Sequence, residues 1–368
     1  MTRRHLVWLG LAAIGITAMA IAGRCVLADT SDEPSADTRI PMGILGDSDS
    51  HSYHDSVLLR DLPSRGGLFR ATTYQWTEVI AALRGSEVDM GPWGVWGSRR
   101  SVAAFLGVLG TDGRAPRKED FRFNFAISGA KCPDLLDGPY RQTARLLHTM
   151  RKDPPRWARG VVVIRIGVNS MGGRQDLDRY AESGLDAPAR ERIHRCVQYI
   201  RRSMVMIRSE HPRTVIVIAG MSDDRNLPGN FARWRDARAI ANISQVLEWH
   251  DQSLRALCDG DPRAAFVSDR EWFRQIWGAR DAAGAPSYRR ISFGGVTAVA
   301  NTIGDHPRNA TLSDGHAGTL QNGLWARDLV NLLRVRFAFG ITPLADAEIA
   351  SLADPNGQFG VNARPAPD

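Results

Sequence analysis

Lysine is almost missing: Lys118, Lys131 and Lys152 are the only three in 368 residues. The 47 basic side chains are therefore nearly all arginine, set against 40 acidic ones. They form no stripe or cluster, and so mild an excess does not describe a nucleic-acid surface. Cysteine is also scarce. Cys25, Cys132, Cys196 and Cys258 are the four present, none in a CxxC or Cys/His pattern, which argues against structural zinc. Internal repeats and low-complexity tracts are absent. The 43% apolar and 24% charged fractions are those of a globular chain with a substantial core.

Long apolar runs are lacking too, except at the N-terminus. Leu6 to Gly23 carries no charge, follows Arg3 and Arg4, and leads into "VLAD". This reads as a secretory signal over residues 1–28, cut after Ala28. An uncleaved membrane anchor is the alternative, since the run approaches the minimum spanning length. Either reading puts the body of the protein outside the cytoplasm, periplasmic or secreted. Without residues 1–28, 44 basic side chains stand against 40 acidic ones. Three cysteines then remain, an odd number that prevents full intramolecular pairing but permits one disulfide. Residues 29–40 read as a flexible leader, 41–345 as one folded domain and 346–368 as a C-terminal tail.

Within the domain, apolar runs alternate with amphipathic segments. "IPMGILG", "GVVVIRIG", "TVIVIAG" and "AAFV" have the continuous apolar character of strands buried on both faces. "RFNFAIS" alternates and is expected to be a further strand. "YQWTEVIAALR", "YRQTARLLHTMRKDPP", "ARERIHRCVQYIRRSMVMIRSE", "IANISQVLEWHDQSLRALC" and "LQNGLWARDLVNLLRVRF" carry helical periodicity. The alternation predicts an α/β fold, a three-layer α/β/α sandwich on a mainly parallel sheet. Two stretches, about 60–122 and 278–312, are expected as long insertions over the binding site.

Ligands of open parallel sheets bind beyond the carboxyl ends of the strands. The residues at those ends are Asp47 and Ser48, Gly129, Asn169, and Ser222 with Asp223. "SDGHAG", holding Asp314 and His316, comes just before the last helix. A serine, a histidine and an acid are the minimum for acyl transfer, with N–H donors for the oxyanion. Ser48, His316 and Asp314 supply the first set; the amides of Ser48 and Gly129 and the Asn169 side chain supply the second. Competing readings exist. Asp47 and Asp49, with Asp223 or Asp224, fit an aspartyl phosphatase of the HAD type using Mg²⁺. Ser170 in "VNSMG" fits a nucleophile elbow poorly, because Val168 stands where glycine is wanted. His51, His54, Asp49 and Asp55 match no standard metal cage. Trp93, Trp96, Trp272 and Trp277 are either core residues or an aromatic platform.

The ordered blocks "ILGDSDS", "NFAISGAKCPDLL", "VVIRIGVN" and "SDGHAGTLQNGLWA" resemble the SGNH (GDSL-type) hydrolases, over roughly Pro41 to Gly340. The resemblance implies a flavodoxin-like sandwich and a serine esterase with no metal or other cofactor. Ser48 would be the nucleophile, His316 the general base, and Ser48, Gly129 and Asn169 the oxyanion hole. The implied partner is an ester of a lipid, a carbohydrate or a small molecule; an O-acyltransferase or a non-catalytic glycan binder on the same fold is the alternative. Two departures stand out. The family's acid lies three residues before its histidine, where this chain has Ser313. The orienting acid is therefore Asp314 or Asp305. The family's Gly-x-Asn-Asp reads here with Ser170 in the last place.

Overall fold

The apolar run "IPMGILG" forms strand β1, Ile40–Gly46, buried from its second residue onward. Four more strands complete its sheet: β2 (Val88–Asp89), β3 (Val161–Arg165), β4 (Val215–Ala219) and β5 (Ala264–Val267). The spatial order is 2-1-3-4-5 and every pairing is parallel. That is the flavodoxin-like doubly wound order. The computed structural model describes residues 37–60, 65–108, 113–281, 283–293 and 297–360. The expected signal segment and most of the leader lie outside them. Among the described residues, no helix is long and apolar enough to cross a membrane.

Successive side chains of a strand point to opposite faces, and two cores follow from that. Val162, Ile164, Ile216 and Ile218 face the helices Gln142–Met150, Arg174–Ser183, Ala187–Glu210 and Ala237–Arg255. Val161, Val163, Val215 and Val217 face Trp76–Arg84, Asp269–Trp277, Thr319–Phe337 and Asp346–Ala353. The architecture is thus a three-layer α/β/α sandwich. Helix starts are set by short polar side chains. Asp186, Asp236 and Ser268 accept the N–H groups of Ala189, Ala239 and Glu271, three residues on.

Several local expectations change. "RFNFAIS" runs along β1, with Phe125 N–H donating to Ile44 O at 2.8 Å and Ile127 N–H to Gly46 O at 3.1 Å, yet it makes only an isolated bridge. The Ala126 N–H is taken by the Asn124 side chain at 3.0 Å, which interrupts the ladder. The 60–122 stretch contains, besides its expected helix, an antiparallel pair, Trp93–Trp96 with Lys118–Phe121. The 278–312 stretch is not structureless: it holds the pair Gly278–Arg280 with Pro286–Tyr288 and a three-stranded sheet ending in Asn309–Thr311. Four of the five strands carry three or four residues, too few to show a period; Thr297–Ile303 is longer. The proline pair opens a short helix, Pro154–Trp157, rather than closing the one before it, which ends at Met150. The expected tail includes the helix Asp346–Ala353, with Ile349, Ala350 and Ala353 buried.

Cys132 and Cys196 form a disulfide and Cys258 stays free and buried. The bridge joins the turn after Gly129 to the Ala187–Glu210 helix. Its sequence separation of 64 residues corresponds to about 4 kcal/mol of chain entropy in the loop-closure account. The double substitution Cys132→Ala/Cys196→Ala is expected to lower stability by a few kcal/mol, about 2–4. Urea unfolding of both proteins measures it, and reductant should shift the wild type alone.

Candidate active site

The carboxyl ends of β1, β3, β4 and β5 stand in register, Gly46 beside Arg165, Ala219 and Val267. Beyond them lies a cavity of about 380 Å³. Ser48, Asn169, Asp314 and His316 all line it, together with Arg174, Ser222 and Asp224.

Ser48 occupies the first turn after β1. Asp47 anchors that turn: its Oδ1 accepts the Asp49 N–H at 3.1 Å and its Oδ2 the Gly167 N–H at 3.2 Å. Burial, reinforced by the charge of Asp49, pushes the Asp47 carboxyl well above the usual carboxylate range. A buried carboxyl with both oxygens on backbone N–H groups is not an open nucleophile. Asp223, one of the two later acids of the phosphatase reading, is buried against the guanidinium of Arg225, whereas the other, Asp224, lines the cavity with Asp49. Among the described residues, no group of three or more His, Cys, Asp or Glu is arranged to hold a metal.

Gly129 has φ +82°, a conformation that side-chain-bearing residues rarely adopt, in a turn that leaves its amide exposed. The N–H groups of Ser48 and Gly129 have no acceptor among the described residues. Asn169 donates one amide hydrogen to Ala130 O at 3.1 Å, leaving the other free beside the Gly129 turn. Ser170, next in sequence, accepts the Cys132 N–H at 2.9 Å. It ties the turn down, which accounts for its presence in place of an acid.

His316 sits on a tight loop after Asn309–Thr311, closed by Leu312 N–H donating to His316 O at 2.7 Å. Asp314 Oδ1 accepts the His316 N–H at 3.0 Å, and Oδ2 lies 2.9 Å from the ring Nδ1. That second approach falls off the ring's N–H direction, so it is a close polar contact rather than an aligned hydrogen bond. Burial would raise the Asp314 carboxyl, but His316 and Arg65 hold it down to about 2. Asp305 instead accepts from Ser313, N–H at 3.1 Å and O–H at 2.8 Å. Asp314, not Asp305, meets the imidazole.

Arg65 gives no signal in sequence, being one arginine of many in the 60–122 stretch. Only 7% exposed, it lies with its guanidinium 4.8 Å from the Tyr53 ring. Its Nε donates to Asp314 at 3.4 Å, and its Nη2 to His316 Nε2 at 3.1 Å and Ser128 Oγ at 3.3 Å. A guanidinium only donates, so His316 Nε2 is an acceptor and the ring is neutral with its proton on Nδ1. The Ser48 hydroxyl has no hydrogen-bond partner among the described residues.

His51 and His54 line no part of the cavity. His51 is wholly buried; its Nδ1 accepts the Ser128 N–H at 3.2 Å and lies 2.9 Å from Ser128 Oγ, and its Nε2 is 2.8 Å from Asp55. Burial, then the charge of Lys118, holds His51 below the ordinary histidine value. His54 is raised by its 2.8 Å bond to Glu78. Tyr53 donates to Ala317 O at 2.9 Å, joining the Ser48 loop to the His316 loop. Trp93, Trp96, Trp272 and Trp277 also lie off the cavity wall.

No family model matches the chain, and no curated protein matches it. Among solved structures, a gut microbial diltiazem-metabolizing enzyme is similar over 82% of this chain at 12% identity and a TM-score of 0.34. The match covers 48% of that chain, so this one spans about half its length. A likeness that low bears on neither fold nor activity.

Asp224 offers a test of the cavity's electrostatics. Burial, opposed by the Ser222 hydroxyl and aided by Asp49 and Asp223, pushes its carboxyl up from 3.8 to about 7. The folded protein keeps this proton in that window while the unfolded chain has lost it, so stability falls as pH rises through it. Asp224→Asn is expected to raise the Tm relative to wild type at pH 8 and to leave it unchanged near pH 4. Thermal unfolding at the two pH values checks the sign.

Proposed function

We propose that the protein is an exported serine hydrolase of the SGNH type that cleaves carboxylic esters. The observation carrying this reading is the convergence of Ser48, Asn169, Asp314 and His316 on one cavity, with acceptor-free amides at Ser48 and, in the turn that Asn169 holds, at Gly129. In this reading Ser48 Oγ attacks the ester carbonyl and His316 Nε2 receives its proton. Asp314 stabilises the imidazolium that forms, and the Ser48 and Gly129 N–H groups with Asn169 Nδ2 receive the oxyanion. The Nε2 atom now accepts from Arg65. The guanidinium therefore leaves that nitrogen before proton transfer.

The cavity wall favours a short acyl group on a polar alcohol. Arg174, Ser222 and Asp224 line it. So do Asn230, Thr311 and Gln321, whose side-chain oxygens are buried without a partner among the described residues. Long acyl chains would desolvate these groups without replacing their hydrogen bonds. Export is supported by residues 1–28 and by the Cys132–Cys196 disulfide, which fits an oxidising compartment.

Ser48→Ala is expected to lower turnover of p-nitrophenyl acetate by at least about 10³ with the fold intact. A rate within tenfold of wild type would sink the nucleophile assignment. Asn169→Ala is expected to cost about 10²–10³ in kcat as a lost oxyanion donor. Asp314→Asn should lose most activity and Asp305→Asn little; the reverse order would move the orienting acid. p-Nitrophenyl palmitate should be a far poorer substrate than the acetate.

A further inference from the structure

The hydroxyl bonded to an imidazole at this site is not that of Ser48. It is that of Ser128, in the turn that carries Gly129. The proton positions follow from what each atom can do. The Ser128 backbone N–H donates to His51 Nδ1 at 3.2 Å, so that nitrogen bears no proton. His51 is then protonated at Nε2, 2.8 Å from the Asp55 carboxylate. The Ser128 hydroxyl, 2.9 Å from the bare Nδ1, donates to it. Arg65 Nη2 donates to the same hydroxyl oxygen at 3.3 Å, which suits an oxygen whose own hydrogen is turned to the imidazole. The result is a serine hydroxyl aimed at a neutral imidazole whose far side is held by a buried carboxylate. That is the arrangement that activates a serine nucleophile, whatever ring nitrogen it uses.

Three further features set this group apart from a turn-fixing hydrogen bond. Ser128 is half-buried rather than sealed in, while His51 and Asp55 behind it are 0% exposed. Arg65 Nη2 bonds both Ser128 Oγ and His316 Nε2, so the hydroxyl shares a donor with a residue that lines the cavity. Donors for a developing oxyanion are at hand. Arg65 Nη1 is buried without a partner among the described residues, and the Gly129 amide next to Ser128 is free.

From these contacts we propose that Ser128, with His51 as base and Asp55 as orienting acid, is a second activated serine on the same cavity. It accepts acyl groups alongside Ser48. The proposal rests on the reading of that cavity as an acyl-transfer site. Ser128 Oγ adds to the ester carbonyl carbon and its proton passes to His51 Nδ1, which gives up the longer bond from the Ser128 amide. When the bond to the alcohol oxygen breaks, the proton leaves with the alcohol and the acyl group stays on Ser128. Water, deprotonated by His51, then releases the acid.

The test is covalent labelling of the intact chain with a serine-directed fluorophosphonate, mapped by peptide mass spectrometry. Wild type, Ser48→Ala and Ser48→Ala/Ser128→Ala are compared. Ser128→Ala keeps the backbone bond to His51, and matched melting curves confirm that the variants are folded. The expected result is label on Ser128 in Ser48→Ala, formed at least about tenfold faster than any label in the double variant. The same ratio is expected in the residual hydrolysis of p-nitrophenyl acetate. Label on Ser128 alone in the wild type would also support the proposal while overturning Ser48 as the nucleophile. Label on Ser48 in the wild type with none on Ser128 in Ser48→Ala overturns the proposal and leaves the hydrolase reading standing. No label on either serine of the wild type overturns both.

Discussion

A single guanidinium inside the sandwich ties the site to the sheet. Arg165 ends β3, and its side chain turns into the protein rather than out to solvent. It is 2.7 Å from the Asp269 carboxylate, donates to Asp49 O at 2.8 Å and stacks at 4.5 Å on Trp325, which itself donates to Asp269 at 2.8 Å. Burial disfavours both charges; Asp269 more than offsets that for Arg165, whose guanidinium is raised, whereas the Asp269 carboxyl stays above its ordinary value because its burial outweighs the help from Arg165. Breaking one half of such a pair costs about 3–5 kcal/mol, because the other charge is left stranded. A central strand, the Ser48 turn and two helices of one layer therefore take their relative positions from one charge.

The turn that follows β1 is held more tightly than a surface loop. Ser52 donates to Asp120 at 2.7 Å, Lys118 is buried beside the same carboxylate, and Glu78 accepts the N–H groups of both Tyr53 and His54 at 3.0 Å. Trp76 donates to Asp49 O and Asn124 to Ser50 O. The density of Asp, Ser and His in "GDSDSHSYHDS" is thus mostly a buried polar network. Such a network is fully effective only when each member is satisfied, and its cost in desolvation is repaid by fixing one conformation. On the proposed reading, the backbone that carries Ser48 is held in place before a substrate arrives.

How much of this was readable beforehand depended on whether a feature is local in sequence. The buried strands, the long helices and the parallel sheet follow from periodicity, and the strand ends then point to Ser48, Gly129, Asn169 and Asp314 with His316. Four of the five strands of 278–312 were invisible because three or four residues cannot display a period. Arg65, and the bonding of His51 to Ser128, were invisible for another reason. Their meaning lies in contacts between distant segments, and an arginine or a histidine in isolation carries no spacing. Cys132 and Cys196 belong to the same class: the count allowed a bridge, and only the fold selects which pair.

The hydrogen bond from Tyr53 to Ala317 joins segments near opposite ends of the chain. Ser48 is made early in synthesis, whereas His316 and the Thr319–Phe337 helix beneath it come close to the last. A growing polypeptide would therefore hold Ser48, Gly129 and Asn169 long before it holds His316. The cavity wall that holds Asp314, His316 and Gln321 is in place only when the segment leading into the Thr319–Phe337 helix docks, so a chain truncated before that helix would lack that wall.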